Sequence, residues 1–137
     1  MIEIEIKINA SIGKVWEAWT NEEAITKWNF ASDDWICPKA QNTLETGEEF
    51  SWRMEAKDGS FGFDFKGTYT EIIPNKSIKY NLEDGRNVEI KFQENKDHVY
   101  ISEAFEPEGT NSDEMQKAGW QAILGNFKNM LKVSKPQ

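Results

Sequence analysis

The stretch EMQKAGWQAILGNFKNML, Glu114 to Leu131, has the make-up of a good helix, yet it carries two glycines and an unusually wide apolar face. Wound at about 100° per residue, it places Met115, Gly119, Met130, Ile123, Phe127, Trp120, Leu131 and Leu124 in one continuous arc. Lys117, Lys128, Gln121 and Lys132 fill the other side. The arc covers about 180°, whereas a helix lying on one surface needs only about 100°. Any fold of this chain must therefore cover the helix on more than one side. Gly119 lies inside the arc, where a missing side chain either permits close approach or leaves a hollow. Gly125 is on the polar side and costs about 1 kcal/mol relative to alanine. Asn111, with Glu114 three residues on, makes a capping pair at the helix start.

The element that could clasp such a helix is a sheet. MIEIEIKIN alternates Ile2, Ile4, Ile6 and Ile8 with Glu3, Glu5 and Lys7, the period of a half-buried strand. After Ser11, an N-cap, the apolar residues Ile12, Val15, Trp16 and Trp19 predict a short helix over 12–19. Thr20 with Glu23 forms a capping box for a second short helix that turns Ala24, Ile25 and Trp28 inward. From about Thr43 to Glu106 the chain reads as strands separated by turn chemistry at Lys57–Ser60, Pro74–Ser77, Glu83–Gly85 and Asn95-Lys96.

Short loops imply antiparallel neighbours, and side-chain parity tests each hairpin, because paired strands must turn their apolar sets to the same face. A four-residue first loop pairs Met54 with Phe63 and Trp52 with Phe65. At the third turn a two-residue loop would set Asn81 opposite Val88, so a three-residue loop with Gly85 left-handed is preferred, pairing Tyr80 with Val88 and Ile78 with Ile90. The last hairpin, turning at Asn95-Lys96, pairs Phe92 with Val99, Ile90 with Ile101 and Val88 with Glu103. The expected architecture is α+β: a curved antiparallel sheet of about six to seven strands wrapped round the long C-terminal helix, with two short helices after the first strand. At 137 residues, with no linker or low-complexity tract, the expectation is a single domain over 1–137.

Composition narrows the function classes. Twenty-four Asp and Glu against 16 Lys and Arg give a net charge of -8, which repels phosphate-rich partners and anionic membranes, so neither nucleic acid nor membrane is an expected partner. No apolar run approaches the roughly 18 residues of a membrane span, and the start is not a signal-peptide core, so a cytoplasmic location is expected. Cys37 is the only cysteine and reads as a small buried hydrophobe. His98 is the only histidine, and its parity places it outward with Tyr100 and Ser102. With one of each, no metal site of the Cys/His kind and no serine or cysteine triad can be assembled, and no Walker or GxGxxG element is present. No metal and no cofactor is expected. Asp33 and Asp34 in SDDWICP are adjacent and point apart, which suits a solvated loop with a turn cap.

Glu103 is the exception within the inward-facing set, since a carboxylate among Val88, Ile101 and Phe105 is costly unless paired or reached by water. Arg86 shares the inward parity and is its diagonal neighbour in the predicted register, so an Arg86–Glu103 pair closing one end of the sheet is the structural expectation.

The order of elements, together with ASIGKVWEAWTNEEAITKW near the start, SDDWICP, MEAKDGSFGFDFKGTY and AGWQAILGNFKNML, resembles the START-like helix-grip (SRPBCC) superfamily, and within it the homologues of the activator of heat shock protein 90 ATPase. The resemblance covers nearly the whole chain. It implies a cavity between the long helix and the sheet, which in relatives holds sterols, lipids, polyketides or polycyclic aromatics. The eukaryotic cochaperones of that group carry a further amino-terminal domain, for which 137 residues leave no room beside this fold, so the label is expected to record ancestry. In such a cavity Trp52, Phe65, Tyr69, Tyr80, Trp120 and Phe127 are candidate ligand-binding residues, with Trp28, Phe30 and Trp35 at the mouth and Glu103 as an internal polar anchor. The tyrosines stand out because a buried hydroxyl needs a partner and can serve a ligand instead.

Three functions follow in order. The first is binding of an apolar, aromatic or polycyclic small molecule, for which a hollow of about 300 Å³ or more is required. The second is an interaction protein engaging a chaperone, or a second copy of the chain as a homodimer, for which a contiguous exposed apolar patch is required. The third is a cyclase- or hydrolase-like enzyme with Glu103 as its acid/base group.

Overall fold

The structure, a computed structural model, describes residues 1–134; residues 135–137 of the expected domain lie outside them. Chain order is β1 (Ile2–Ile8), α1 (Ile12–Thr20), α2 (Glu22–Ile25), β2 (Trp35–Asn42), β3 (Glu49–Ala56), β4 (Gly62–Ile73), β5 (Ser77–Leu82), β6 (Asn87–Glu94), β7 (Val99–Phe105) and α3 (Asp113–Ser134). The strands form one curled antiparallel sheet in the order β1-β7-β6-β5-β4-β3-β2. Strands β2 to β7 are a simple meander, and β1 closes against the last of them, with Ile4 opposite Glu103 and Ile6 opposite Ile101. No helix among the described residues is long and apolar enough to cross a membrane.

The short helices follow the expected periodicity with one change of cap. Ser11 caps α1, its hydroxyl accepting from the Lys14 amide at 3.4 Å. For α2 the cap is Asn21, whose side chain accepts from Ala24 N at 3.0 Å, and not Thr20 of the expected capping box. Thr20 lies one residue too early, still within α1, and its hydroxyl donates to the Trp16 carbonyl at 2.7 Å. Similarly, at α3 the Met115 amide is taken by Ser112 Oγ at 3.1 Å, while Asn111 turns back to Glu108.

Hairpin parity holds in β3–β4 and β5–β6, while a bulge between Tyr69 and Glu71 shifts it within β4–β5. Met54 pairs with Phe63 and Trp52 with Phe65, and Tyr80 pairs with Val88 and Ile78 with Ile90. Gly85 has φ +92, as its turn requires. In the β6–β7 hairpin the register differs by two residues from the expected one: Phe92 faces Ile101, Ile90 faces Glu103 and Val88 faces Phe105. The loop there spans 95–98, closed by Asn95 N donating to His98 O at 2.8 Å, and an even slip leaves every side chain on its expected face. The meander also begins earlier than Thr43. Strand β2 contains Pro38 and a register break between Ile36 and Lys39, both tolerated because it is an edge strand.

Helix α3 is held from both flanks. Gln121 Nε2 donates to the Glu5 carbonyl of β1 at 3.1 Å, and Asn126 Nδ2 donates to the Phe30 carbonyl after α2. Leu124, between these anchors, and Phe127, just after the second, are fully buried. Phe127 sits edge-on to Trp19 and Trp28, each at a ring distance of 5.0 Å, and Trp120 stacks flat on Phe105 at 3.8 Å. Met115, at the head of the sequence arc, lies outside this clasp and is 65% exposed.

Candidate functional site

The helix does not fill the curl of the sheet. A cavity of about 300 Å³ remains between them, walled by Trp52, Met54, Phe63, Phe65 and Tyr80 of β3 to β5, by Glu103 of β7, by Gly119, Trp120 and Ile123 of α3, and by Trp19, Trp28, Asn29, Ala31 and Trp35 of the α1–β2 segment. On the helix side Gly119 leaves room: a Cβ built there would meet no atom within 4 Å. Its neighbours in the arc cannot swing in, because Trp120 is committed to Phe105 and Phe127 to the two tryptophans.

Of the expected lining residues, Trp28, Trp35, Trp52, Phe65, Tyr80, Glu103 and Trp120 reach the cavity. Tyr69 does not. Its hydroxyl donates to Asn42 Oδ1, and Asn42 in turn donates from Nδ2 to the Thr20 carbonyl at 2.7 Å, so this tyrosine ties β4 to β2 and α1. Phe127 belongs to the packed core beneath Trp19 and Trp28, and Phe30 presents its carbonyl to α3. Trp19, Asn29, Met54, Phe63 and Ile123 line the cavity without having been singled out. Ile123 follows Gly119 by one turn in the same arc, and Met54 and Phe63 are a matched hairpin pair, so these were within reach of the periodicity. Asn29, whose Nδ2 lies 3.8 Å from Met54 Sδ, had no sequence signal.

The Arg86–Glu103 pair does not form. Arg86 Nε is bound to Asp84 Oδ2 at 2.8 Å, two residues away across its own turn, and the register slip moves Glu103 to a place between Ile4 and Ile90. Glu103 is only 7% exposed and makes no hydrogen bond or ion pair among the described residues. Its carboxyl oxygens are nonetheless not sealed off, in contrast to Trp52 Nε1, which is buried without a partner. The surface they open onto is the cavity. Burial pushes the Glu103 carboxyl up to about 8, and burial followed by the nearby Glu103 charge pushes the Tyr80 hydroxyl well above its usual range.

At the cavity rim the β3–β4 hairpin carries a small aromatic cluster. Phe61 is 60% exposed and Phe63 40%, and their rings lie 6.0 and 6.1 Å from that of Trp35. Elsewhere Cys37 is buried, its thiol pushed up to about 11 by burial, and Asp33 and Asp34 are exposed in the loop before β2. Among the described residues no cluster of His, Cys, Asp and Glu could hold a metal ion.

This geometry can be set beside known proteins. The family described as activator of Hsp90 ATPase homolog 1-like protein matches residues 9–132. The chain belongs to this family. An AHSA1-like protein from Aeromonas hydrophila, solved in solution, shares 36% identity with a TM-score of 0.89, covering 97% of this chain and 94% of its own. The protein Chr148 from Cytophaga hutchinsonii shares 43% identity with a TM-score of 0.84, covering 99% and 96%. A crystal structure of a Nitrosomonas europaea protein, 16% identical with a TM-score of 0.83 over 98% and 95%, has the same fold. No curated protein matches the chain.

Proposed function

We propose that this member of the activator of Hsp90 ATPase homolog 1-like family binds an apolar, aromatic or polycyclic small molecule in the cavity between sheet and α3. The observation that carries the reading is the hollow itself. About 300 Å³ lined by eight aromatic side chains of β3, β4, β5, α3 and the α1–β2 segment is the size and chemistry of a small-ligand site. Gly119 borders this space, and a Cβ added there would meet no atom within 4 Å. The test is Gly119→Leu, which puts an isobutyl group into the hollow and favours the helix. Protein purified from its own host is screened by native mass spectrometry for a co-purifying small molecule, and by thermal shift against an apolar aromatic library. The wild type should give ligand-dependent shifts that the variant loses while its ligand-free Tm stays level or rises. Equal shifts in both proteins, or none in either, would refute the reading.

A second reading, association with a chaperone, is supported by family membership and by the exposed Phe61 and Phe63 next to Trp35. A Phe61→Ser variant, at a ring outside the cavity wall, should then lose binding to purified chaperone while keeping ligand shifts; unchanged chaperone binding would refute that surface.

A further inference from the structure

The cavity has an uncommon electrostatic character. Its ionisable lining residues are Glu103 and Tyr80, and of these only the carboxyl can carry charge near neutral pH. The groups set beside Glu103 are uncharged: Ile4 of β1 and Ile90 of β6 across the ladder, Tyr80 of β5 near enough to feel its charge, and Trp120 with Gly119 of α3 in the same cavity. The only arginine of expected reach is held by Asp84. An unpartnered acid therefore shares its cavity with Trp and Tyr rings, side chains that themselves attract cations.

We propose that the cavity is an amine site, taking a compact aromatic or apolar molecule with one protonated nitrogen that pairs with Glu103 while Trp52, Phe65, Tyr80 and Trp120 hold its apolar body. This rests on the small-molecule reading above and names the ligand class. A ligand offering only a hydroxyl or carbonyl would be served as well by a glutamine, which has donor and acceptor and no buried ionisation to sustain. A cation is the partner that makes a carboxylate, rather than an amide, the favourable group here. The net charge of -8 also raises the local concentration of cations over anions around the protein. The volume suits a single ring or two fused rings with a short alkylamine arm.

Burial keeps the free Glu103 carboxyl largely protonated at pH 7, so pairing with an ammonium must expel its proton to solvent. That gives a readout beyond affinity. Matched probes on phenyl, indole and naphthyl bodies, each as ethylamine, ethyl and propionate derivatives, are titrated by calorimetry into wild type and Glu103→Gln at pH 6.5 in buffers of different ionisation enthalpy. In the wild type the amine of at least one body should bind about tenfold or more tighter than its neutral counterpart. Its propionate should bind weakest, and amine binding should release a proton. In Glu103→Gln, with its fold checked by Tm, the amine preference and the proton release should both vanish. Neutral probes binding as tightly as amines, or an amine preference unchanged in the variant, overturns the amine site and leaves the small-molecule reading standing. No probe of any charge binding to the wild type overturns both.

Discussion

Replacing Glu103 with glutamine should stabilise the fold, by an amount that depends on pH. In the folded chain the carboxyl sits at about 8, against 4.5 for the ordinary group, because burial penalises its charged form. Below about pH 4.5 the group is protonated in both folded and unfolded chains and contributes no difference. As pH rises towards 8 the unfolded chain ionises freely while the folded one resists, so wild-type stability falls at up to about 1.4 kcal/mol per pH unit. The ceiling is about 5 kcal/mol, and relaxation of the folded chain around the charge brings the expected loss to about 2–3 kcal/mol. Glutamine does not titrate and keeps the shape. Urea unfolding of both proteins from pH 4 to pH 9 should give curves that nearly coincide at the acid end and diverge steadily, with the variant more stable above pH 8. Parallel curves, or a wild type that gains on the variant as pH rises, would show that Glu103 is solvated or paired and would remove the basis of the anchor assigned to it.

Three further substitutions probe the frame that holds the cavity. Tyr69→Phe should cost about 1–2 kcal/mol in urea unfolding, because it leaves Asn42 Oδ1 without its buried donor. Gly67→Ala should destabilise by about 2–3 kcal/mol, since its Cβ would lie 2.6 Å from the Phe50 ring and 2.7 Å from the Asn81 carbonyl, and the latter is backbone. Gly125→Ala should raise stability by about 0.5–1 kcal/mol through helix propensity alone, because a Cβ there meets nothing within 4 Å.

Much of this architecture was legible because two periodicities speak for themselves. The wide arc of α3 demanded cover on both flanks, and the structure supplies it through Glu5 on one side and Phe30 on the other. Strand parity assigned faces correctly even where it misplaced partners. Parity is blind to a slip of two, so the β6–β7 register escaped it, and with that register went the expected Arg86–Glu103 pair. Asp84 was the better partner by proximity, two residues from Arg86 in one turn. Strand β2 was hidden because Pro38 and a bulge break its alternation. Within the cavity, aromatic residue type pointed to Trp52, Phe65 and Trp120, but could not separate a ring that lines space from one that fills it. Phe127 and Tyr69 are decided by neighbours far away in sequence, Trp19 and Asn42.

The last elements of the chain govern when a usable pocket can exist, because β7 and α3 supply Glu103 and the helix wall. During synthesis the meander from β2 onward can zip up hairpin by hairpin, each strand finding the one made just before it, whereas β1 must wait for the last strand to emerge from the ribosome. Glu103 sits on that late strand, across from Ile4. Until α3 has followed β7 into place, the tryptophan-lined hollow lacks its helix wall, so a nascent chain has nothing with which to capture a guest prematurely.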